Sequence, residues 1–319
     1  MDKDINNKEK TISRKQKRTI SSTTSDKIFD FFLYVFMVLL LVVMIYPIYF
    51  TVIASFSEPR YVSSGLITFL PRGFTFEAYQ NVFRNSAIWT GYTNSLFYTI
   101  TGTLLALFLT LPAAYALSKK QLRGRIFFSW YFLFTMFFSG GLIPFFLTVR
   151  NIGLVNQPYT LAILGSFSVM NMVVTRIFYQ ISIPDELYEA AKVDGCSDFG
   201  QFFKIALPLS APIIAVMALF YAVARWNDFF TALVFVFNRD YFPLQLVLRN
   251  ILIEGQISMA EIAHGLVDGD EMLARVRQAQ IAAAMRYAII FIASAPLLIA
   301  YPFVQKFFVK GVMIGSLKG

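Results

Sequence analysis

Long apolar runs without a charged residue constrain this chain more than any other feature of its sequence. The first covers residues 31–57, and its segment 33–50 (LYVFMVLLLVVMIYPIYF) is apolar on every face. A helix that crosses the hydrocarbon core of a bilayer needs about 20 apolar residues, because each residue rises about 1.5 Å. Membrane-spanning β-strands alternate apolar and polar residues instead. The runs therefore predict an all-α integral membrane protein.

Six such runs predict six transmembrane helices, of which the fifth is interrupted by charges. The runs are 31–57, 85–118, 126–149, 151–175, about 207–237 and 287–305. Gly140-Gly141 beside Pro144 indicate a bend in the third run. Composition agrees, because only 15% of the 319 residues are charged, against about 25% in soluble domains.

Lysine and arginine in the short connections predict the orientation, since such residues favour the cytoplasmic side. Segment 1–27 holds eight of them and segment 119–125 holds four. With an even number of spans, both termini are predicted to be cytoplasmic. The net charge of +9 is thus a topology signal and not evidence for a nucleic-acid partner. The sequence therefore predicts four regions along the chain: a basic disordered tail at 1–27, a first helix with an outer loop at 28–91, a transmembrane core at 92–308, and a cytoplasmic tail at 309–319. The outer segment, 238–286, lies within the predicted core.

The segment 183–208, between the fourth and fifth spans, carries signals for two short helices. Pro184 suits a first helical turn, where a missing N–H costs little. Gly195 stands where a left-handed C-cap would end that helix. A second helix is predicted at about 197–206, with Pro208 marking the turn into the fifth span. On this pattern alone, an ordinary amphipathic connector is equally compatible.

The literal residues of the segment reproduce the pattern E-A-A-x3-G-x9-I-x-L-P at every defined position. This pattern resembles the coupling loop of permease subunits of bacterial ABC importers. In that family, the loop docks on an ATP-binding subunit and transmits its nucleotide-driven closure to the membrane helices. By this resemblance, the residues expected to couple to the ATPase are Glu189, Ala190, Ala191, Asp194, Gly195, Ile205, Leu207 and Pro208.

The resemblance extends from about residue 46 to the C-terminus. Segments 94–96, 113–125 and 225–230 look like carbohydrate-uptake permeases. Segments 138–144 (FSGGLIP) and 243–252 (PLQLVLRNIL) resemble the branch that handles oligo- and polysaccharides, including lipo-oligosaccharide and aldouronate permeases. The resemblance implies a type I importer fold in the bacterial cytoplasmic membrane.

The sequence contains no G-x4-G-K-[ST] stretch, which is what a phosphate-binding P-loop requires. ATP and Mg²⁺ are therefore expected on a separate ATPase, and this chain is expected to have no catalytic residue and no cofactor of its own. One histidine and one cysteine provide no zinc cluster. The resemblance implies a second, similar permease subunit, two ATP-binding subunits or a dimeric ATPase, and an extracytoplasmic sugar-binding protein.

Charged residues in the fifth run leave two interpretations open. Arg225 and Asp228 are three residues apart, so they share a helix face and can form an ion pair that fixes helix packing. Alternatively, Trp226, Asn227 and Asp228 line the sugar path, because tryptophan offers a flat apolar face and the polar groups bond hydroxyls. Asn171 is a weaker candidate for the path, since interhelical hydrogen bonding is the other interpretation.

The leading prediction is a permease subunit of an ATP-driven carbohydrate importer that forms half of a translocation pathway. The alternative is an autonomous ion-coupled secondary carrier, with Arg225 and Asp228 as relay groups. A membrane enzyme is a third possibility, but no metal or nucleophile constellation supports it. The outer segment is predicted to contain a helix at 244–253 across the bundle and to serve as a lid or as a contact for the binding protein.

Overall fold

The computed structural model describes residues 24–263 and 269–316, and all regular structure in these ranges is helical. Most of the predicted basic tail and the residues 317–319 lie outside the described ranges. The chain divides into two compact units, Met1–Thr51 and Val52–Gly319. The described part of the first unit belongs to one long helix, and the second unit contains every other described helix.

The helices fall into two series along the chain. The first series is α1 (Thr24–Ser55), α2 (Pro59–Ser63), α3 (Glu77–Arg84), α4 (Ser86–Ser118), α5 (Arg125–Phe137), α6 (Leu142–Asn151), α7 (Thr160–Ile163) and α8 (Val169–Ser182). The second series is α9 (Asp185–Val193), α10 (Asp198–Gln201), a π-helix (Phe202–Ala206), α11 (Leu207–Leu209), α12 (Ala211–Trp226), α13 (Phe230–Phe235), a 3-10 helix (Arg239–Tyr241), α14 (Leu244–Ala263) and α15 (Gly269–Ser316).

Three described helices are long and apolar enough to cross a membrane: α1, α4 and the segment Met272–Ile299 of α15. Two bent pairs meet the same criterion when each pair is taken together. The α5–α6 pair bends by 115°, and the segments Asp198–Leu209 and Ala211–Trp226 bend by 80°. The described residues therefore contain three to five candidate spans, and the six predicted spans with cytoplasmic termini are not confirmed.

The fourth predicted span, 151–175, is not one helix. It contains a turn, the four-residue α7, a second turn and the beginning of α8. Gly165 adopts a positive φ of 72° after α7, and the Ser168 hydroxyl accepts from the Asn171 N–H at the start of α8. These signals interrupt the helix although the run is apolar throughout, because hydropathy does not report where helices begin and end.

The bend predicted at Gly140-Gly141 is present between α5 and α6. Gly141 has a φ of 85°, a conformation that an L-residue adopts only at a cost. The α5 helix has no buried residue, and most of its aromatic side chains are exposed. This is the surface that a lipid-facing or partner-facing helix presents in a bilayer.

The centre of the second unit is α4, which packs against α12, α8, α14 and α7. Small residues line its buried face, including Gly102, Ala106 and Ala114. Small side chains let helix backbones approach closely, which is the usual basis of helix association in membranes.

The outer segment 238–286 is more helical than predicted. The helix predicted at 244–253 is confirmed, and α14 continues to Ala263. The last helix already begins at Gly269, so the predicted sixth span, 287–305, is the second part of a longer helix that packs against α14. The outer segment and the predicted sixth span are therefore not separated by a helix end at residue 286.

Candidate functional site

The helix α9 ends in a Schellman motif at the glycine that the sequence pattern singled out. The Gly195 N–H donates to the Lys192 carbonyl at 3.1 Å, and the Cys196 N–H donates to the Ala191 carbonyl at 2.8 Å. Gly195 has a φ of 77°, which this motif requires of the residue after the cap. Nothing lies within 4 Å of a Cβ built on it, so any substitution there strains the backbone rather than the packing.

The segment 183–208 is called the coupling loop below, after the loop that it resembles. Its second half begins at Ser197, as predicted. The Ser197 hydroxyl accepts from the Gly200 N–H at 3.2 Å and caps α10. The helix then passes through the π-helix and α11, where Leu207 and Pro208 lie. The bend into α12 falls at Ser210, two residues after Pro208, because proline is tolerated in the first turn of the short helix α11.

One face of α9 is anchored to α4 through an aromatic cluster. Tyr188 is buried, and its ring centroid lies 6.1 Å from that of Tyr115 on α4. The Tyr115 ring also contacts Phe202 of the π-helix at 5.1 Å and Tyr179 of α8 at 5.8 Å. Both halves of the coupling loop thus pack on the same aromatic residue at the end of α4.

The remaining surface of the loop exposes apolar side chains. Leu187 is 43% exposed, Val193 is 88% exposed and Phe199 of α10 is 81% exposed. Glu189 and Ala190 are also exposed, whereas Ala191 is half-buried. Several exposed apolar side chains within one short segment are typical of a protein interaction site.

Lys119 reinforces the anchored face of α9. It caps the C-terminus of α4, and its Nζ lies 2.8 Å from the ring centroid of Tyr188 and 4.8 Å from that of Tyr115. Burial lowers the pKa of Lys119 to about 8, although Asp185 and Asp198 act in the opposite direction. Burial also raises the pKa of Tyr188. From the sequence, Lys119 is recognisable only as a topology marker, because its aromatic partner Tyr188 is 69 positions away.

Arg225 lies at the end of α12 and bonds to backbone rather than to Asp228. Its guanidinium donates to the carbonyls of Leu161 and Leu164, and to the Ser166 hydroxyl at 3.0 Å. Asp228 accepts from the Thr231 N–H at 3.0 Å. Among the ion pairs of the described residues there is none between Arg225 and Asp228. The ion-pair interpretation is wrong, because the break after α7 supplies carbonyls that need a donor.

The four residues predicted for the sugar path have different environments. Trp226 is 3% exposed, and its indole N–H donates to the Ala293 carbonyl at 2.9 Å. Asn227 is exposed and donates to the Val223 carbonyl. Asp228 faces a cavity of about 10 Å³, which has room for at most one water molecule. Asn171 is half-buried in the first turn of α8.

Bent helical spans around α4, together with an anchored helical loop that exposes an apolar face, define the membrane subunit of a transport system. The chain belongs to the family described as binding-protein-dependent transport system inner membrane components, whose sequence model matches residues 86–314. The resemblance that the coupling-loop pattern indicated is therefore confirmed, and so is its location as an integral inner membrane protein.

Individual relatives match over nearly the whole chain. The polygalacturonan/rhamnogalacturonan transport system permease protein YtcP of Bacillus subtilis (strain 168) is 36% identical over 297 residues, which cover 92% of this chain and 99% of YtcP. Protein LplC of the same organism is 37% identical over 301 residues, covering 94% and 98% of the two chains. A chain in the crystal structure of a bacterial ABC transporter involved in the import of the acidic polysaccharide alginate matches with a TM-score of 0.80 and 33% identity, over 91% of this chain and all of that chain.

Proposed function

We propose that this chain is the permease subunit of an ATP-driven ABC importer for an oligo- or polysaccharide. The observation that carries the proposal is the coupling loop, whose inner face is anchored to α4 and whose outer face is apolar and exposed. The family membership and the relatives named for polysaccharide transport support the substrate class. The chain itself breaks no bond.

The partners follow from what a permease of this family needs. A separate ATPase, with two ATP-binding subunits or as a dimer, holds ATP and Mg²⁺ and docks on the coupling loop. An extracytoplasmic binding protein delivers the saccharide, and a second, similar permease supplies the other half of the pathway. In this arrangement the chain crosses the membrane six times with both termini in the cytoplasm.

The contacts of α9 suggest how movement of the ATPase reaches the membrane. Closure of the ATPase displaces α9, and the contact between the tilted rings of Tyr188 and Tyr115 passes that displacement to α4. The second route runs through the π-helix, where Ile205 packs in the same aromatic cluster, and through Leu207 and Pro208 into α12. Gly195 fixes the angle between α9 and α10, and Asp194 is the C-cap residue of α9. Glu189 supplies a polar contact to the ATPase.

Contacts with the saccharide are proposed at the joint between α12 and α13, where Asn227 and Asp228 present polar groups, and at Asn171 on α8. The packed position of Trp226 favours a structural role for its ring in this conformation. An ion-coupled carrier is not favoured, because the three acceptors around Arg225 and the N–H bonded to Asp228 leave neither group arranged as a relay.

Gly195→Asp tests the coupling role. A side chain at a φ of 77° strains the end of α9 by about 1 kcal/mol or more, and aspartate adds charge where the ATPase docks. We expect the variant to enter the membrane normally but to lose copurification with the ATPase and ATP-driven saccharide uptake.

Gly153→Asp is the matched control for this experiment. Gly153 has a φ of 73°, also has nothing within 4 Å of an added Cβ, and follows α6 away from the loop. It should retain both ATPase binding and uptake. Normal uptake by Gly195→Asp, or equal losses in the two variants, would contradict the proposed role of the loop.

A further inference from the structure

Two arginines on facing helices of the second unit line one cavity. Arg249 on α14 and Arg286 on α15 border a cavity of about 380 Å³. Gln245 is the other polar side chain of its wall, and the rest is apolar, including Phe229 and Ile289. The volume lies in the range of small-ligand pockets, about 300–1,000 Å³.

Helix periodicity explains why these side chains meet. Gln245 and Arg249 are four residues apart on α14, and Arg286 and Ile289 are three apart on α15, so each pair shares a face. The two helices approach closely near Gly255, where an added Cβ would lie 3.1 Å from the Ala282 Cβ. The cavity begins about one helical turn beyond this contact on both helices.

Arg286 is half-buried and lacks the partners that the half-buried Arg225 has. Its Nε is buried without a hydrogen-bond partner, and no carboxylate among the described side chains pairs with Arg286 or Arg249. Arg225, by contrast, has three acceptors. Arg286 lies within the candidate span Met272–Ile299, where a charged side chain is costly and typically marks a substrate pathway.

We infer that Arg249 and Arg286 form an anion subsite for the carboxylate groups of an acidic saccharide. A guanidinium bonds a carboxylate through two parallel N–H donors, which a neutral sugar hydroxyl does not match. The Gln245 amide bonds ring hydroxyls, and Phe229 offers a flat apolar surface to a sugar ring. The inference rests on the proposed function and assigns the substrate class within it.

Vesicles containing the complete importer, with partner permease, ATPase and binding protein, test this subsite. The probes are trigalacturonate and the neutral trisaccharide obtained by reducing its carboxylates. Arg249→Gln and Arg286→Gln should each lower uptake of trigalacturonate about tenfold, as loss of one charge-assisted pair implies. Uptake of the neutral trisaccharide should change by less than about twofold, since its hydroxyls do not need the guanidinium fork. Arg286→Lys retains charge but not the fork and should give an intermediate loss.

The matched control is Arg239→Gln, which removes an exposed arginine outside the cavity and should leave both uptakes unchanged. Equal losses for the two probes, or no loss for trigalacturonate, would overturn the inference. A loss seen only when phosphatidylglycerol is present in otherwise phosphatidylcholine vesicles would also overturn it, because the occupant would then be a lipid phosphate.

Failure of the inference is distinguishable from failure of the proposed function. A wild-type importer that takes up the neutral probe with ATP, but not trigalacturonate, overturns the subsite and leaves the importer intact. A complete assembly in which this chain neither binds the ATPase nor supports ATP-driven uptake of either probe overturns both.

Discussion

Arg225 holds together the break between α7 and α8. The carbonyls of Leu161 and Leu164 belong to the end of α7 and the following turn, and Arg225 donates to both, as well as to the Ser166 hydroxyl. The last carbonyls of a helix have no partner within that helix. Without water nearby, each unsatisfied group costs several kcal/mol. One side chain therefore makes the interruption between α7 and α8 stable.

Arg225→Met tests this role by removing all the donors while keeping an apolar stem. We expect the free energy of unfolding of the purified complex to fall by about 3 kcal/mol, because buried acceptors lose charge-assisted bonds. Ser166→Ala removes only one acceptor and should cost about 1 kcal/mol. Unfolding in detergent measures both, and Arg84→Met, at an exposed position on α3, should change little. An Arg225→Met complex as stable as the wild type would contradict the role.

The polar residues at membrane depth show what sequence alone can and cannot predict. The interruption of an apolar run singled out Arg225 correctly as a residue that needs a partner. Its partners could not be predicted, because they are backbone carbonyls that become available only where α7 ends. Trp226 was proposed for the sugar path from its chemistry, whereas its burial depends on α15, more than 60 residues away.

At the scale of elements, the contacts between α9 and α4 determine how rigidly the coupling loop is connected to the membrane helices. Lys119 closes this attachment by placing its Nζ over the rings of Tyr188 and Tyr115. The charged groups that face it are Asp185 at the start of α9 and Asp198 at the start of α10. Cation–π contacts of this kind contribute about 0.5–2 kcal/mol while the lysine is charged, and the desolvation that lowers its pKa opposes them.

The pKa of Lys119 predicts a pH dependence with a defined sign. Burial holds this pKa at about 8 in the folded chain, below its ordinary value of 10.5. Between these two pH values the unfolded chain binds the proton and the folded chain does not, so stability rises with pH. We expect the melting temperature of wild type, relative to Lys119→Met, to increase from pH 8 to pH 10 and to be constant between pH 6 and 7.

The control for this titration is Lys120→Met. This variant removes an exposed ion pair in which the Lys120 Nζ lies 3.5 Å from the Asp185 Oδ2. Such a pair is worth about 0–1 kcal/mol, and the variant should retain the rise because it retains Lys119. A difference between wild type and Lys119→Met that stays flat or falls above pH 8 would exclude a depressed pKa for this lysine.

The coupling loop was predictable from sequence because its signals are local. Pro184, Gly195 and Ser197 each specify a helix end through their own backbone or hydroxyl chemistry, and the helix ends are observed there. The π-helix at Phe202–Ala206 and the 80° bend at Ser210 carry no such local signal. They depend on how the loop packs against the aromatic cluster at the end of α4.

At the scale of the whole molecule, the proposed transport cycle requires the coupling loop and the outer segment to lie on opposite sides of the membrane. Hydropathy located the apolar runs correctly, but the helices reveal bends and breaks that leave the number of crossings between three and five by length and composition. The side on which each connection lies is therefore the property of the proposed arrangement that most needs a direct measurement.

The chain's single cysteine makes that measurement straightforward, because Cys196 lies in the coupling loop immediately after Gly195. A membrane-impermeant maleimide should leave Cys196 unlabelled in intact cells and label it in inside-out vesicles, since the reagent then reaches the cytoplasmic face. Adding the purified ATPase to vesicles stripped of it should reduce labelling, because docking covers the loop.

Cys196→Ser provides the unlabelled background. Asp240→Cys in that background, at an exposed position of the outer segment, should be labelled in intact cells instead. Labelling of Cys196 from outside would place the loop away from any cytoplasmic ATPase and would exclude the coupling mechanism.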